Sequence, residues 1–150
     1  MREIQAMRDL MVRVAPTLDL KHVTEYAEAL AWALVFADEM RIDAEYDDAN
    51  HRLILTGDGA AIPELARERA YETLLSYGYL WTEHGGVRAA LDASTRTVVL
   101  MIELSAEELD VSRLAAVLHN FRGTIEGWRG VLAASGASTS DTGSDSPRPT

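Results

Sequence analysis

Cysteine is absent from the sequence, which excludes disulfide bonds, thiolate metal sites and cysteine nucleophiles. Long apolar runs are absent too, and the first 16 residues carry charges at Arg2, Glu3, Arg8, Asp9 and Arg13, so neither a signal-peptide core nor a membrane span is predicted. Basic residues are scarce, with 14 Lys and Arg against 24 Asp and Glu, and the net charge is −10. Such a surface repels phosphate backbones. We therefore expect a cytoplasmic protein that neither binds nucleic acid nor inserts into a membrane.

The composition predicts one folded domain followed by a disordered tail. With 150 residues, of which 47% are hydrophobic and 25% are charged, the chain is long enough for a single domain with its own core. From Ser135 the sequence reads SGASTSDTGSDSPRPT, which is rich in Ser, Thr, Gly, Asp and Pro. Such a segment cannot bury enough apolar surface to offset the entropy of ordering. We expect a domain over residues 1–134 and disorder over 135–150.

The N-terminal part contains one clear helix and one ambiguous segment. Over residues 2–14, apolar side chains recur at helical spacing, and Pro16 ends the pattern. The stripe consists of Ile4, Met7, Leu10 or Met11, and Val14. It either packs wholly on its own domain or stays partly open to a partner. The next segment, TLDLKHVTEYAEAL at 17–30, fits a helix or an irregular lead-in to a strand.

Alternation predicts a three-stranded antiparallel meander over residues 31–57. In AWALVFA at 31–37 the side chains alternate between two apolar faces, and over 40–47 apolar residues alternate with charged ones. DDANHR supplies a turn, and RLILTG at 52–57 is the third strand, after which Gly57-Asp58-Gly59 breaks the pattern. A helix over 20–37 remains an alternative, because Ala and Leu favour helices.

A second helix and a hairpin follow. Pro63 is suited to a first helical position and Gly78 to a C-terminal stop. The apolar side of this helix consists of Leu65, Ala66, Ala70, Leu74 and Tyr77. After Gly85-Gly86, the strands VRAALD and TVVLMIEL flank DASTR, whose residues favour a turn.

The last predicted element is a long amphipathic helix from Val111 to Ala134, capped by Asp110. Three glycines within it, Gly123, Gly127 and Gly130, each cost about 1 kcal/mol against Ala, so we expect close packing there to compensate. The predicted fold class is α+β, an antiparallel twisted sheet with helices packed on it. The predicted order of elements is α-β-β-β-α-β-β-α.

No chemical constellation emerges from the sequence. The histidines lie in four different predicted elements and without HxH or HxxxH spacing; they are His22, His51, His84 and His119. The acidic residues Asp43, Glu45 and Asp47 alternate along a strand, which is typical of a solvated face, and their spacing fails the EF-hand rule. Nucleophile-elbow and phosphate-loop motifs are missing as well. We therefore predict no catalytic residues, no metal site, no cofactor and no enzymatic activity.

Four stretches, in this order, resemble the class I type III secretion chaperones, the Tir-chaperone-like family. They are LVFADE at 34–39, RLILTG at 52–57, GYLWTEHGGVRAALDASTRTVVL at 78–100 and LHNFRGTIEGWRGVL at 118–132. The family has phrases like LVFDD, RLVLTG and NFLWxxTGGxxLALDPETGxVVL at the first three, and an aromatic-then-tryptophan spacing at the fourth. The resemblance covers residues 2–134, although the lead-in at 17–30 is longer than usual and DASTR lacks the family's Pro and Gly.

The resemblance implies a cytosolic homodimer with a chaperone-like domain over residues 1–134. It would bind the N-terminal region of one or more type III secreted effectors, keep it secretion-competent and aid its delivery to the secretion ATPase. By family position, effector contacts fall on Leu10, Met11, Leu34, Phe36 and Ile54, with Leu10 and Met11 expected on an exposed helix face. Dimer contacts fall on Leu74, Tyr77, Val87, Ala89 and Leu91.

Two other functions stay open at the level of sequence. One is a YbjN-like regulatory or stress protein of the same fold outside secretion. The other is a small hydrolase, for which His84 or His119 would be the candidate catalytic residue.

Overall fold

Alternating apolar residues define the faces of one antiparallel sheet, on which three helices pack in the described part of the chain. The computed structural model describes residues 2–141. Its helices are α1 (Arg2–Val14), α2 (Arg67–Tyr79) and α3 (Val111–Asp141). Its strands are β1 (Leu20–Tyr26), β2 (Ala31–Phe36), β3 (Arg41–Asp47), β4 (Arg52–Ala61), β5 (Arg88–Asp92) and β6 (Thr97–Ser105). The predicted fold class is confirmed.

The sheet has six strands in the order β1-β2-β3-β4-β6-β5, and every neighbouring pair is antiparallel. Buried side chains of the central strands and the apolar stripes of the helices form one core. In β3, for example, Ile42, Ala44 and Tyr46 are buried, while the residues between them remain accessible. The order leaves β1 and β5 as the two edges of the sheet, each paired on one side.

The predicted order of elements lacks one strand. Residues 17–30, which the sequence left ambiguous, contain β1, so a helix over 20–37 is wrong. The strand was hard to recognise because it lies at the edge, where Leu20 and Val23 are only half-buried and the other positions are exposed. An edge strand with so little burial does not need the apolar alternation that marks a strand in a sequence.

Strand β4 continues through Gly57-Asp58-Gly59, where the sequence predicted a break. A Cβ on Gly57 would lie 2.5 Å from Ile125 Cδ1, and one on Gly59 would lie 3.3 Å from Trp128 Cβ. The two glycines therefore permit close approach of α3 to the strand. Beyond them the pairing with β6 is irregular, between Asp58 and Ala61.

Helix α3 begins as predicted, because Asp110 Oδ1 accepts a hydrogen bond from the backbone N–H of Arg113 at 2.7 Å. It ends at Asp141 rather than Ala134. Residues 135–141 of the expected tail are thus helical, and Gly136 lies against Pro63. Residues 142–150 lie outside the described residues. The expectation of close packing at Gly123, Gly127 and Gly130 is wrong, since a Cβ on each would meet open space.

Strands β5 and β6 form the predicted hairpin. Asp92 Oδ1 accepts hydrogen bonds from the N–H of Ser94 at 3.0 Å and from its hydroxyl at 2.7 Å. Gly85 and Gly86 both adopt positive φ between α2 and β5, which glycine tolerates without steric cost. The polar residues of this stretch thus have structural roles in turns.

Candidate functional site

A groove runs between α1 and the free edge of the sheet. Its floor contains the buried side chains Met11 and Trp32, and its walls come from α1 and β1. The groove has a volume of about 620 Å³. We call it the β1-edge groove and define it by Arg8, Met11, Val12, Leu20, Val23, Glu25 and Trp32.

Two ion pairs involve side chains in the walls of this groove. Arg8 Nε donates a hydrogen bond to Glu25 Oε1 at 2.8 Å and so links α1 to β1. Lys21 pairs with Glu39, which links β1 to the turn after β2. These side chains are partly solvated, so each pair is worth little in stability, about 0–1 kcal/mol. Their opposite charges leave the groove close to neutral in a chain whose net charge is −10.

The groove has the features that receive an extended peptide. Within residues 2–141, strand β1 pairs with β2 only, so one side of its backbone is open to another strand. On α1, Val12 is 74% exposed at the rim. Main-chain pairing at such an edge supplies affinity, and apolar pockets for alternate side chains supply specificity.

A second surface lies at the opposite edge of the sheet. Along α2, Tyr71, Leu75 and Tyr79 recur every four residues, so they share one face of the helix. Leu75 is 76% exposed and Tyr79 is 86% exposed. Leu91 of the edge strand β5 is also exposed. We call these four residues the α2–β5 face.

Four of the five predicted effector-binding residues belong to the core. Leu10 is 8% exposed and Met11 is 1% exposed, so the expectation that both lie on an exposed helix face is wrong. Leu34 and Phe36 are also buried. Ile54 is half-buried and points to the face of the sheet away from Leu53 and Leu55. Of the five, the structure brings only Met11 to the floor of the β1-edge groove.

The predicted dimer residues are divided between the core and the surface. Leu74 and Val87 are buried, and Ala89 is half-buried. Tyr77 stacks on His84 with ring centroids 3.8 Å apart, and meets Trp128 edge-on at 5.2 Å. Only Leu91 is exposed. The exposed residues Leu75 and Tyr79 were not among the predicted dimer residues, although their spacing from Tyr71 in RERAYETLLSYGY is visible in the sequence.

One cluster of potential metal ligands occurs among residues 2–141. Glu3, Asp48 and His51 each bring a ligand atom within 4.8 Å of the others. All three side chains are exposed, and His51 Nδ1 already lies 2.8 Å from Glu3 Oε2. Exposed carboxylates beside a histidine are common on acidic surfaces, so we assign no metal to this cluster.

Perturbed ionisation has structural causes in this chain. Tyr46 donates a hydrogen bond to Glu3 Oε2 at 3.1 Å, and burial together with this bond raises the pKa of Tyr46 to about 12. Burial raises the pKa of Tyr77. Hydrogen bonds from Asn50 and then Arg52 lower the pKa of Asp47. None of these groups pairs with a nucleophile in a cleft, which is the arrangement that would indicate catalysis.

The candidate catalytic histidines also occupy separate places. His84 is held against Tyr77, whereas His119 lies exposed on α3.

None of the helices in the described part of the chain is both long and apolar enough to cross a membrane.

Comparison with protein families gives a match over most of the chain. The model of the Tir chaperone protein (CesT) family matches residues 24–129. Comparison with curated protein sequences gives no match.

Solved structures share the fold at low sequence identity. The ExsC–ExsE complex has a TM-score of 0.73 at 20% identity, over 85% of this chain and 94% of the matched chain. The HopA1–SchA chaperone–effector complex has a TM-score of 0.70 at 16% identity, over 87% of this chain and 98% of the matched chain. An uncharacterized protein from Methanothermobacter thermautotrophicus has a TM-score of 0.60 at 14% identity, over 88% of this chain and 97% of the matched chain.

Proposed function

Because the chain belongs to the Tir chaperone protein (CesT) family, as the sequence motifs predicted, we propose that it is a cytoplasmic type III secretion chaperone. It binds the N-terminal region of one or more secreted effectors, keeps that region secretion-competent and aids its delivery to the secretion ATPase. The protein has no enzymatic activity and needs no cofactor. Family membership is the observation that carries this proposal.

The β1-edge groove is the proposed client site. A client segment pairs with the open side of β1 and places alternate side chains beside Val12 and over Trp32. At this site the client touches Val12 and Trp32, whereas Leu10, Leu34 and Phe36 are buried and do not line the groove. Main-chain pairing tolerates many client sequences, which suits a chaperone that holds an extended segment.

The α2–β5 face is the proposed dimer contact. Two copies that bring Leu75, Tyr79 and Leu91 together would remove from water the large apolar side chains that this face exposes. Because β1 and β5 are opposite edges of the sheet, a contact at β5 leaves each β1-edge groove open.

A single substitution in the groove tests the client site. We expect Val12→Glu to abolish or strongly weaken binding of the client recovered by co-purification from the native host, because a carboxylate in an apolar groove is costly unless it is paired. The side chain is 74% exposed, so the variant should stay folded. Val131→Glu on α3 is the matched control, since it changes another exposed valine away from the groove and should bind normally.

A pull-down measures client binding by the two variants, and circular dichroism shows whether each variant is folded. A folded Val12→Glu protein that retains its client would refute the groove as the client site. Substitution of Leu10 or Met11 by Glu would not test the client site, because both side chains are buried and the variant should unfold.

The alternative is a regulatory or stress protein of the same fold outside secretion. Co-purification from the native host separates the two functions. Recovery of a secreted effector supports the chaperone. Recovery of only non-secreted regulatory partners would favour the alternative.

A further inference from the structure

A second depression lies on the other flank of α1. The β1-edge groove meets α1 along Gln5, Arg8 and Val12, whereas this second depression meets it along Ala6, Leu10 and Arg13. These two sets of positions lie on roughly opposite flanks of a helix with 3.6 residues per turn. The second depression has a volume of about 310 Å³ and is closed on its far side by the segment 106–111. We call it the α1–α3 pocket.

The pocket combines an apolar floor with an acidic rim. Its floor includes the buried Met7 and Leu10 and the half-buried Leu109. Three carboxylates line it, those of Glu3, Glu107 and Asp110. Arg13 supplies the guanidinium among the lining residues, and His51 completes the rim beside Glu3. The pocket is therefore negative on balance, whereas the β1-edge groove is close to neutral.

We infer that the α1–α3 pocket binds an apolar side chain of the client that is flanked by Lys or Arg. The inference rests on the proposed function and adds a sequence requirement to it. The apolar side chain contacts Met7, Leu10 and Leu109, and the flanking cations lie near Glu107 and Asp110. At physiological ionic strength the Debye length is about 8 Å, so these cations act only from close to the rim.

The width of α1 sets the spacing within the client. A helix with its side chains is about 10–12 Å across, and an extended chain advances about 3.3 Å per residue. At least about three to four client residues therefore cross the exposed side of α1 between the segment paired with β1 and the anchor in the α1–α3 pocket. The client should carry its basic-flanked apolar residue at that distance from the paired segment.

Two synthetic peptides test this inference without knowledge of the client. They have the same length and one central leucine, flanked on each side by two lysines in one peptide and by two glutamates in the other. Each is titrated into the 15N-labelled protein and followed by NMR. We expect the lysine peptide to shift the amide signals of 6–10 and 106–111, and the glutamate peptide to bind more weakly or not at all.

Isosteric variants assign the effect to the rim. Glu107→Gln with Asp110→Asn removes two charges, and Asn preserves the N-terminal cap of α3. Because each exposed ion pair contributes about 0.2–1 kcal/mol and two are removed, we expect roughly twofold to thirtyfold weaker binding of the lysine peptide. Glu68→Gln with Glu72→Gln removes two exposed charges from α2 instead and should leave binding unchanged.

Equal binding of the two peptides, wild-type binding by the rim variant, or shifts confined to other parts of the protein would each overturn the inference. That failure is distinct from failure of the proposed function. Suppose that neither peptide binds the α1–α3 pocket but that Val12→Glu abolishes client binding. The protein would then still be a chaperone, without this second client contact.

Discussion

Glycine at two positions of β4 sets the distance between α3 and the sheet. Gly57 and Gly59 face Ile125 and Trp128, and the gap that a Cβ would need is already filled. The glycines of α3 make no such close contact, because Gly123, Gly127 and Gly130 border open space. The same residue type therefore serves close packing in the strand and only lowers helix propensity in α3.

This contrast predicts opposite effects of alanine at two glycines. Gly57→Ala should lower the free energy of unfolding by about 1–3 kcal/mol, because its Cβ would lie 2.5 Å from Ile125 Cδ1 and Ile125 is fully buried. Gly123→Ala, in open space within a helix, should raise it by about 0.5–1 kcal/mol. Urea unfolding of both variants checks the pair. Destabilisation of the two by equal amounts would contradict the packing account.

Residue burial was only partly predictable from the sequence. The helical stripe of α1 was visible, and the helix has the predicted bounds. Whether Leu10 and Met11 face solvent depends on what covers them, and the sequence left both possibilities open. In the structure these side chains pack into the core, while the neighbouring Val12 reaches the surface. An apolar stripe shows which face of a helix is buried. Which residues at the margin of that face are covered depends on tertiary contacts with distant parts of the chain.

Helix α2 presents two different apolar stripes. Ala70, Leu74 and Tyr77 face the core, whereas Leu75 and Tyr79 are exposed on a neighbouring face, which the half-buried Tyr71 borders. The resemblance placed the α2 dimer contacts, by family position, at Leu74 and Tyr77 of the inward stripe, and the fold shows which stripe is exposed. The outward stripe is the one available to a second copy.

Substitutions in adjacent residues of α2 separate dimerisation from folding. Leu75→Glu with Tyr79→Glu should give a folded monomer, because both side chains are exposed within one chain and a carboxylate opposes apolar association. Leu74→Glu should unfold the protein, because Leu74 is buried. Leu65→Glu, another exposed leucine that lies before the helix, is the control and should stay dimeric. Sedimentation that shows a monomeric wild type, or a dimeric double variant, would contradict the α2–β5 face.

The element that sequence reasoning found hardest is the one that carries the proposed client site. Strand β1 lies at the sheet edge, is mostly exposed, and departs from regular pairing between Leu20 and His22. It therefore shows neither the alternation of a half-buried strand nor the continuous apolar run of a central one. The meander β2–β4, the hairpin β5–β6 and the helices have clear apolar periods, which is why they were predictable.

At the scale of the whole molecule, opposite edges of one sheet have different proposed partners. In the proposed arrangement the β1 edge receives a client segment, and the opposite edge, β5 with α2, receives a second copy. The net charge of −10 makes copies of the protein repel one another, so association is limited to surfaces with enough apolar area or with opposite charge. The motifs predicted the family because they follow elements of the fold, whereas the surfaces depend on burial in three dimensions.

The central claim is that a client segment pairs with the open side of β1, and backbone hydrogen exchange measures this pairing directly. Exchange is followed for the protein alone and for the protein with the N-terminal segment of the co-purified client. In an added antiparallel strand, about every second amide of the edge strand gains a hydrogen-bond acceptor. We therefore predict that exchange slows at alternate amides of Leu20–Tyr26, while amides of Arg88–Asp92 are unchanged. Unchanged exchange along β1 with a client bound, or protection that appears at β5 instead, would contradict the account.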